Sequence, residues 1–407
     1  MSGADRAIVR GWRLIVLAVV VTFSRSRIAL GADCGLQPVC GGAVNHVCHC
    51  GDNVKWNYTL SGTLTNGDGT SPCTTSVGLT IGSNVTLTGD GTASIVGQGS
   101  AGTVGIQFNG STGAKVTSSA GYLKVTAFER GVQFTGNAQN DTLERVESYG
   151  NTNGTPGAVG SYGIDLRGPD PNTDTANNTI QNVFVHDNAD EGVHMGGGSR
   201  NNTLQNSTLR GDAHQEIYLT HSSNNQILNN TASLSASTGL ASLAVKASNA
   251  NTFTGNALQD GLVSFTNDAN NNVLGTTTVG NTITNARLEF GQNQDDTGTG
   301  PYRPAHDNVV TNVTIDNTIN PAATACVNYH RNANASASDT LPYNNKVNGS
   351  QLTCNGKALI ALSSNGTGVI GGQNCVGATT CNGHTCAEPG DTTDQLGIIT
   401  VQAAACP

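Results

Sequence analysis

The sequence has few large or charged side chains. Aromatic residues make up 4% and charged residues 12% of its 407 residues, with only two Met and two Trp. These are too few large side chains for a helical bundle or a thick globular core, yet Val, Ile and Leu recur too regularly for disorder. The formal net charge of −9 argues against nucleic-acid binding, because contacts to phosphates require a basic surface. No glycine-rich phosphate-binding pattern lies between a strand and a helix.

Cysteine is absent from residues 74–325. Five of the eleven cysteines lie between Cys34 and Cys73, and six lie between Cys326 and Cys406. In an exported chain, groups of this kind indicate disulfide bonds. The odd number leaves one thiol unpaired, and the pairing cannot be deduced from the sequence. A metal site at Cys48–Cys50 is an alternative, although no second pair stands at the spacing of zinc ligands.

The N-terminal apolar run Leu14–Phe23 is too short to span a bilayer. Three arginines precede it and a small-residue cleavage site follows at Ala32, which is typical of a signal peptide at residues 1–32. A retained anchor is the alternative. We therefore expect an exported protein, secreted, at the cell surface or periplasmic. After removal of the signal it should be a monomer without a membrane span.

A four-residue phrase recurs along the chain at intervals of 20 to 32 residues. Its copies are GIQF (Gly105–Phe108), GVQF (Gly131–Phe134), GIDL (Gly163–Leu166), GVHM (Gly192–Met195), EIYL (Glu216–Leu219), SLAV (Ser242–Val245) and LVSF (Leu262–Phe265). A second short apolar segment follows each copy after eight or nine residues, usually behind an Asn-rich turn such as NNTI or NNTL. Self-similarity at this period indicates a solenoid.

The local pattern within the repeat indicates the type of solenoid. Apolar and polar residues alternate with a period of two, which predicts strands, and Gly, Asn and Asp supply the turns between them. Asn at the same offset in neighbouring coils can stack into a hydrogen-bonded ladder. We therefore predict an all-β fold, a right-handed parallel β-helix, over residues 79–365. Disulfide-stapled caps at residues 33–78 and 366–407 would cover its open edges.

Within each copy the flanking apolar residues should point inward and the middle residue outward. The predicted outward column is Gln133, Asp165, His194, Tyr218, Ala244 and Ser264, and the next one is Thr135, Arg167, Gly196, Thr220 and Lys246. The loops before the strands add Tyr162, Asp190, Glu191, His214, Gln215 and Glu216. Scarce ionisable residues thus gather on three consecutive coils, which favours a groove that binds a polar polymer and acts on it. A solvated face with chance clustering is the alternative.

A loop between two of these strands contains a possible calcium site. Asp170, Asn172 and Asp174 alternate as oxygen donors, the ligand type that Ca²⁺ prefers. The rest of an EF-hand is missing, so an ordinary polar loop is the alternative.

The stretch from Gly131 to Asn230 resembles the catalytic β-helix of mannuronan epimerases and, more broadly, the pectate-lyase-like superfamily with its alginate and chondroitin lyases. Its specific part is YGID, with Tyr162 and Asp165. In the epimerases, a Tyr-Gly-x-Asp-Pro-His run supplies a Tyr and a His as opposing acid and base, and the Asp supports them. Here Leu166 and Arg167 stand in place of the Pro and the His, so the base would have to be another residue.

The resemblance implies a uronic-acid polysaccharide as substrate and removal of the proton beside the sugar carboxylate. Arg167 would pair with that carboxylate, and Asp165 would orient Arg167 or a His. His194 or His214 would take the proton, and Tyr162 or Tyr218 would protonate the leaving oxygen. The residues expected to bind the rest of the polymer are Gln133, Glu191, Gln215, Glu216 and Lys246. Elimination would make the protein a lyase, which we favour, and reprotonation from the opposite face an epimerase.

Two other functions remain open at this stage. A glycoside hydrolase on the same scaffold would need two carboxylates beside the bond, and Asp165, Glu191 and Glu216 lie within two coils of one another. A glycan-binding surface protein without catalysis would use the same extended face.

Overall fold

The structure is a computed structural model that describes residues 31–40, 42–155, 160–167, 175–234, 240–294, 301–318, 325–354, 360–363, 368–386, 390–394 and 397–407. All but the last two residues of the predicted signal peptide lie outside these ranges. The described backbone forms strands, bends and turns, and contains no helix long and apolar enough to cross a membrane.

The strands stack in parallel ladders on three faces of a coil, which confirms the predicted parallel β-helix. The first face consists of Asp33–Val39, Asp52–Val54, Val77–Ile81, Val104–Asn109, Arg130–Thr135, Tyr162–Arg167, Val193–Gly196, Ile217–Thr220, Ala241–Lys246, Val327–His330, Ile360–Ser363 and Thr392–Thr393. The second face consists of Tyr58–Leu60, Thr86–Gly89, Lys115–Ser118, Thr142–Glu144, Thr179–Gln181, Thr203–Gln205, Gln226–Leu228, Thr252–Thr254, Val273–Leu274, Val309–Thr311, Lys346–Asn348, Asn374–Gly377 and Ile399–Gln402.

The third face consists of Ser94–Val96, Leu123–Thr126, Val146–Tyr149, Phe184–His186, Thr208–Arg210, Thr231–Ser233, Thr314–Asn317, Gln351–Cys354 and Thr380–Cys381. Two long strands, Ala257–Thr266 and Thr282–Asn293, run along the third face and continue on the first face. Three short strands pair antiparallel with their neighbours: Gly42–His46, Arg303–Pro304 and His384–Thr385.

The Asn-Asn pairs of the repeat form the turn between the first and second faces. The first residue of the pair takes a left-handed backbone, as Asn201 and Asn224 do (φ 54° and 55°), and Asn tolerates this conformation better than most residues. The second residue turns inward, where Asn202 donates its backbone N–H and its side-chain amide to Oδ1 of Asn225 at 2.9 and 3.2 Å. The same bonds link eight buried asparagines, which are Asn178, Asn202, Asn225, Asn251, Asn272, Asn308, Asn345 and Asn374. The predicted asparagine ladder is therefore confirmed.

The core is a thin apolar column inside the coil. Each inward position of the first face lies directly over its equivalent in the next coil, and the apolar side chains predicted to point inward are fully buried. Aromatic rings stack along this column, with Phe108 and Phe134 at 4.3 Å and Phe290 and Tyr329 at 5.3 Å between centroids. Rings stacked in this way add stabilisation to the apolar area that they bury.

Disulfide bonds lie at both ends of the described chain, as predicted. They join Cys34 to Cys48, Cys50 to Cys73, Cys326 to Cys354, Cys375 to Cys406 and Cys381 to Cys386. Cys40 is the free and exposed thiol. The alternative of a metal site at Cys48–Cys50 is wrong, because both cysteines of that segment are in disulfides. Parallel pairing continues through the boundaries predicted at residues 79 and 365, since Asp52 pairs with Leu79 and Ile360 with Thr392.

The ladder predicts the effect of replacing one of its members. Asn225→Ala removes four side-chain hydrogen bonds. It leaves the buried backbone N–H of Asn202 without an acceptor, and the side-chain amide of Asn202 keeps only its bond to the carbonyl of Thr175. We expect the free energy of unfolding to fall by about 2–4 kcal/mol, because each orphaned buried group costs about 1–3 kcal/mol. Chemical denaturation measures this loss. The control is Gln226→Ala, an exposed neighbour, and an equal loss in both variants would contradict a special role for the ladder.

Candidate functional site

The predicted outward column lies in register on the first face. Asp165 pairs with His194, His194 with Tyr218, and Tyr218 with Ala244 in successive coils. Gln133 precedes Asp165 in this column. The side chains are nevertheless not all exposed, since Asp165 is completely buried and His194 is 3% exposed. The centre of the column is therefore covered by its own neighbours.

Gly163, the second residue of its strand, sets the direction of the residue before it. A Cβ on Gly163 would lie 2.3 Å from Cγ1 of Val185 inside the coil, so only glycine fits there. Gly163 and Ile164 both face inward, which interrupts the alternation and leaves Tyr162 on the outer side beside Asp165. Arg130 occupies the equivalent position in the preceding coil, where it pairs with Tyr162. Its side chain also lies on the outer side and contacts Asp165.

Asp165 is the centre of a buried polar network. Its Oδ1 lies 2.8 Å from Nδ1 of His194 and 3.7 Å from Nε of Arg167. Its Oδ2 lies 3.2 Å from Nε of Arg130 and accepts a hydrogen bond from Gln133 at 3.3 Å. Burial alone would raise the pKa of Asp165, but the hydrogen bond and charge of His194, with the charges of Arg167 and Arg130, hold it below its usual range. An ionised carboxylate can only accept, so Nδ1 of His194 carries the proton between them.

The imidazole of His194 is held between two tyrosine rings. Its centroid lies 4.8 Å from that of Tyr162 and 5.6 Å from that of Tyr218. Its Nε2 faces Gly196, whose hypothetical Cβ would lie 2.6 Å from Nε2 and 2.4 Å from Cε1. Glycine at position 196 thus provides the room for the ring, where the neighbouring coils carry Arg167 and Thr220.

Arg167 and Tyr162 form a second contact beside this imidazole. The guanidinium of Arg167 donates to the phenol oxygen of Tyr162 at 3.1 Å and lies 5.6 Å from the centre of its ring. Burial raises the pKa of Tyr162, and the charge of Glu191 adds to the effect. The phenol therefore keeps its proton, and its oxygen accepts from Arg167, so the O–H remains available to another acceptor.

A separate acidic cluster lies in the loops before the next two strands. Nδ1 of His214 lies 3.3 Å from Oδ1 of Asp190 and 3.5 Å from Oε1 of Glu191. Hydrogen bonds to these two carboxylates raise the pKa of His214 to about 9. Burial raises the pKa of Glu191, although His214 opposes that shift. The ligand atoms of the three residues lie within 4.8 Å of one another, so the cluster could hold a metal ion.

Two adjoining cavities form a groove over these residues. One, of about 540 Å³, is lined by Tyr162, Arg167, Asp190, Glu191, His194, Gly197, His214, Tyr218, Thr220 and His221. The other, of about 420 Å³, shares His214 and Tyr218 and continues past Gln215, Lys246, Ser264, Glu289, Gln292 and Asn332. The groove thus extends over several coils of the first face.

The structure brings most of the predicted site residues together in this groove. Gln133 contacts Asp165 from the preceding coil, and Gln215 and Lys246 line the second cavity. The predicted calcium ligands Asp170, Asn172 and Asp174 lie outside the described residues.

Glu216 corrects one expectation, because it is 0% exposed and does not line the groove. It stands at the position of Gly163 and Gly192, which faces inward, and its carboxyl lies against Asp212. Burial and that neighbouring carboxyl raise the pKa of Glu216. Arg130 was missed by the sequence analysis, although its offset from its strand matches that of Tyr162. Glu289 was missed too, because the long strand Thr282–Asn293 does not repeat the four-residue phrase.

A family model described as "Periplasmic copper-binding protein (NosD)" matches residues 76–299, more than half of the chain. The protein belongs to the NosD family. Its five disulfide bonds and this membership place it outside the cytoplasm. No curated protein matches the chain.

Several solved structures are similar to this NosD-family chain. The Azotobacter vinelandii mannuronan C-5 epimerase AlgE6 A-module is 17% identical, with a TM-score of 0.45 over 82% of this chain and 89% of that chain. An alginate lyase from Paenibacillus sp. str. FPU-7 is 13% identical, with a TM-score of 0.40 over 75% and 98%. PfbA, a surface adhesin of Streptococcus pneumoniae, is 10% identical, with a TM-score of 0.45 over 82% and 81%.

The contact at Gly196 predicts how the imidazole can be displaced. In Gly196→Ala the new methyl group occupies the space of the His194 ring, so we expect the His194–Asp165 hydrogen bond to break. Proton NMR measures this bond, because an imidazole N–H donated to a buried carboxylate resonates far downfield. That signal should be lost in Gly196→Ala and kept in Thr135→Ala, a change at the same offset two coils earlier. An unchanged signal in Gly196→Ala would show that the ring lies elsewhere.

Proposed function

We propose that this protein is an extracytoplasmic enzyme that removes the proton beside the carboxylate of a uronic-acid polysaccharide. The observation that carries this proposal is the Asp165–His194 pair, held between Tyr162 and Tyr218 and next to Arg167 on the floor of an extended groove. A base, an acid and a cation within one cavity are the groups that such a proton transfer needs.

His194 is the base in this proposal. Its Nδ1–H is donated to Asp165, so Nε2 carries the lone pair. The carboxylate fixes the tautomer and stabilises the charge that the ring acquires with the proton. His214, the other candidate, is a poorer base, because its two carboxylates raise its pKa to about 9 and keep it protonated at neutral pH.

Arg167 neutralises the substrate carboxylate in this proposal. Arg130 lies closer to Asp165 than Arg167 does, at 3.2 Å against 3.7 Å, and it already balances the buried charge. The Arg167 side chain is 40% exposed and lines the cavity, so its guanidinium can pair with a carboxylate in two parallel hydrogen bonds. Pairing of this kind lowers the cost of forming a negative charge on the neighbouring carbon.

Tyr162 is the acid. Its phenol keeps its proton and accepts from Arg167, which leaves the O–H directed away from the guanidinium. Tyr218, on the other side of the imidazole, is the alternative donor. In elimination, His194 takes the proton, the carbon–oxygen bond to the next sugar breaks, and the phenol protonates the leaving oxygen. A carbon–carbon double bond remains in the sugar, and no other reactant is needed.

Elimination is preferred over epimerisation because Arg167 occupies the position of the epimerase His. Epimerisation would need the phenol to return a proton to the same carbon from the opposite face. Both outcomes share the first step, which the Asp165–His194 pair supports.

The other two functions have less support from the described residues. A hydrolase needs two carboxylates that act on one bond. Asp165 is hydrogen-bonded to His194 and paired with Arg130, and Glu216 faces the interior of the coil. Glu191 is then the one carboxylate of the three predicted for a hydrolase that lines the cavity, and it contacts His214. A glycan-binding protein would have no need of a buried carboxylate that orients an imidazole in the groove. The predicted calcium site remains a prediction.

The proposal predicts turnover that depends on His194. Incubated with alginate, polygalacturonate, glucuronan or chondroitin, the protein should produce ultraviolet absorbance from an unsaturated sugar on one of these polymers. His194→Ala should lower the rate by about 10²–10⁴-fold, the usual contribution of a general base. Tyr162→Phe should lower it as well, because the phenyl ring keeps the stacking and loses the proton donor.

The control variant is His221→Ala, which removes another imidazole from the wall of the same cavity. Its rate should stay within a few-fold of the original. New reducing ends without absorbance would indicate a hydrolase. Binding to a polymer that remains chemically unchanged would indicate a glycan-binding protein.

A further inference from the structure

The two carboxylates around His214 converge on one nitrogen. Asp190 and Glu191 both approach Nδ1, at 3.3 and 3.5 Å. Two other histidines also have two carboxylate neighbours, but through opposite ring nitrogens. His306 contacts Asp268 through Nε2 and Asp307 through Nδ1, and His186 divides Glu147 and Asp187 in the same manner. A single ion bound to one imidazole nitrogen can also bind both carboxylates only when both lie beside that same nitrogen.

A buried oxygen in the same cluster has no partner. Oε2 of Glu191 forms no hydrogen bond, although the side chain is only 5% exposed. Oε1 of the same carboxylate contacts His214. A buried carboxylate oxygen without a partner costs free energy that a bound cation would recover.

A backbone hydrogen bond also fixes the orientation of one carboxylate in the cluster. Oδ2 of Asp190 accepts the backbone N–H of Gly160 at 2.6 Å, which leaves Oδ1 directed towards His214. A hydrogen bond of this kind orients a metal ligand through its second oxygen. Asp190, Glu191 and His214 all line the cavity of about 540 Å³, so an ion held there would keep open positions towards the groove.

We propose that Asp190, Glu191 and His214 bind one divalent first-row transition-metal ion. One imidazole nitrogen and two carboxylates suit such an ion, and the two negative charges balance it. The ion would displace the proton that His214 otherwise holds between the two carboxylates. Ca²⁺ prefers six to eight oxygen ligands, which makes it a poorer match for this set. The description of the family model names copper, and these residues fit Cu²⁺ rather than Cu⁺, because Cu⁺ prefers thiolate and thioether ligands. The site does not depend on the proposed reaction.

The donor set predicts an order of affinities. For a given set of nitrogen and oxygen ligands, Cu²⁺ binds more tightly than Zn²⁺ and Zn²⁺ more tightly than Mn²⁺. Isothermal titration calorimetry of the oxidised, exported chain with each metal alone measures this order, with Ca²⁺ as a fourth titrant. We expect one Cu²⁺ per chain. The electron paramagnetic resonance spectrum of that ion should show coupling to a single ¹⁴N nucleus.

Two variants and two controls decide where the metal lies. His214→Gln should remove the ¹⁴N coupling and weaken Cu²⁺ binding by at least about 100-fold, and Glu191→Gln should weaken it by at least about 10-fold. His214 is partly exposed and Glu191→Gln keeps the shape of its side chain, so both variants should fold. Circular dichroism checks this. The controls His306→Gln and His186→Gln each remove an imidazole that lies between two carboxylates, and they should leave binding unchanged.

Three results would overturn this proposal. They are failure of all four metals to bind, Cu²⁺ binding that survives His214→Gln, and binding of Ca²⁺ as tight as that of Cu²⁺. Because the readouts are binding and a spectrum, they remain valid if no polysaccharide is turned over. A protein that binds the metal but turns over none of the polymers would contradict the proposed reaction and not this site.

Discussion

In-register parallel pairing is the constraint on which the rest of this structure depends. Each coil lies directly over the previous one, so a given position repeats as a column, and the buried asparagines bind one another from coil to coil. A shift by one residue would turn the apolar column outward and break that ladder. Most inward positions therefore carry apolar residues or hydrogen-bonded asparagines, whereas outward positions are free to differ between coils.

The candidate site consists mainly of residues at these variable outward positions. Asp165, His194 and Tyr218 occupy the same outward position in three successive coils, so the ladder spacing alone brings them into contact. Two close approaches refine the arrangement, since Gly163 turns Tyr162 outward and Gly196 makes room for the imidazole. The result is a buried carboxylate that orients a histidine beside an arginine and a phenol. A few coil positions thus supply groups that a compact fold would gather from distant loops.

The repeat made the β-helix, the asparagine ladder and the outward column predictable, because each follows from a fixed offset. The predictions failed at positions where the side chain does not point as the alternation of the repeat predicts, or where the residue lies outside the repeated phrase. Glu216 was expected in the groove, but it replaces a glycine whose Cβ faces the interior, where its carboxyl lies against Asp212. Arg130 was missed because it lies one residue before the repeated phrase, at the start of its strand. The sequence could not separate His194 from His214 either, since the difference depends on which carboxylates each ring meets in space.

The central claim is that His194 removes the proton beside a uronate carboxylate. It is tested most directly by incubating the protein with uronic-acid oligosaccharides in D₂O and following that carbon by proton NMR and mass spectrometry. The account predicts that deuterium enters at this carbon, or that the carbon loses its proton to a double bond, and that His194→Ala abolishes both. Oligosaccharides that bind in the groove but keep their original proton at this carbon would contradict it.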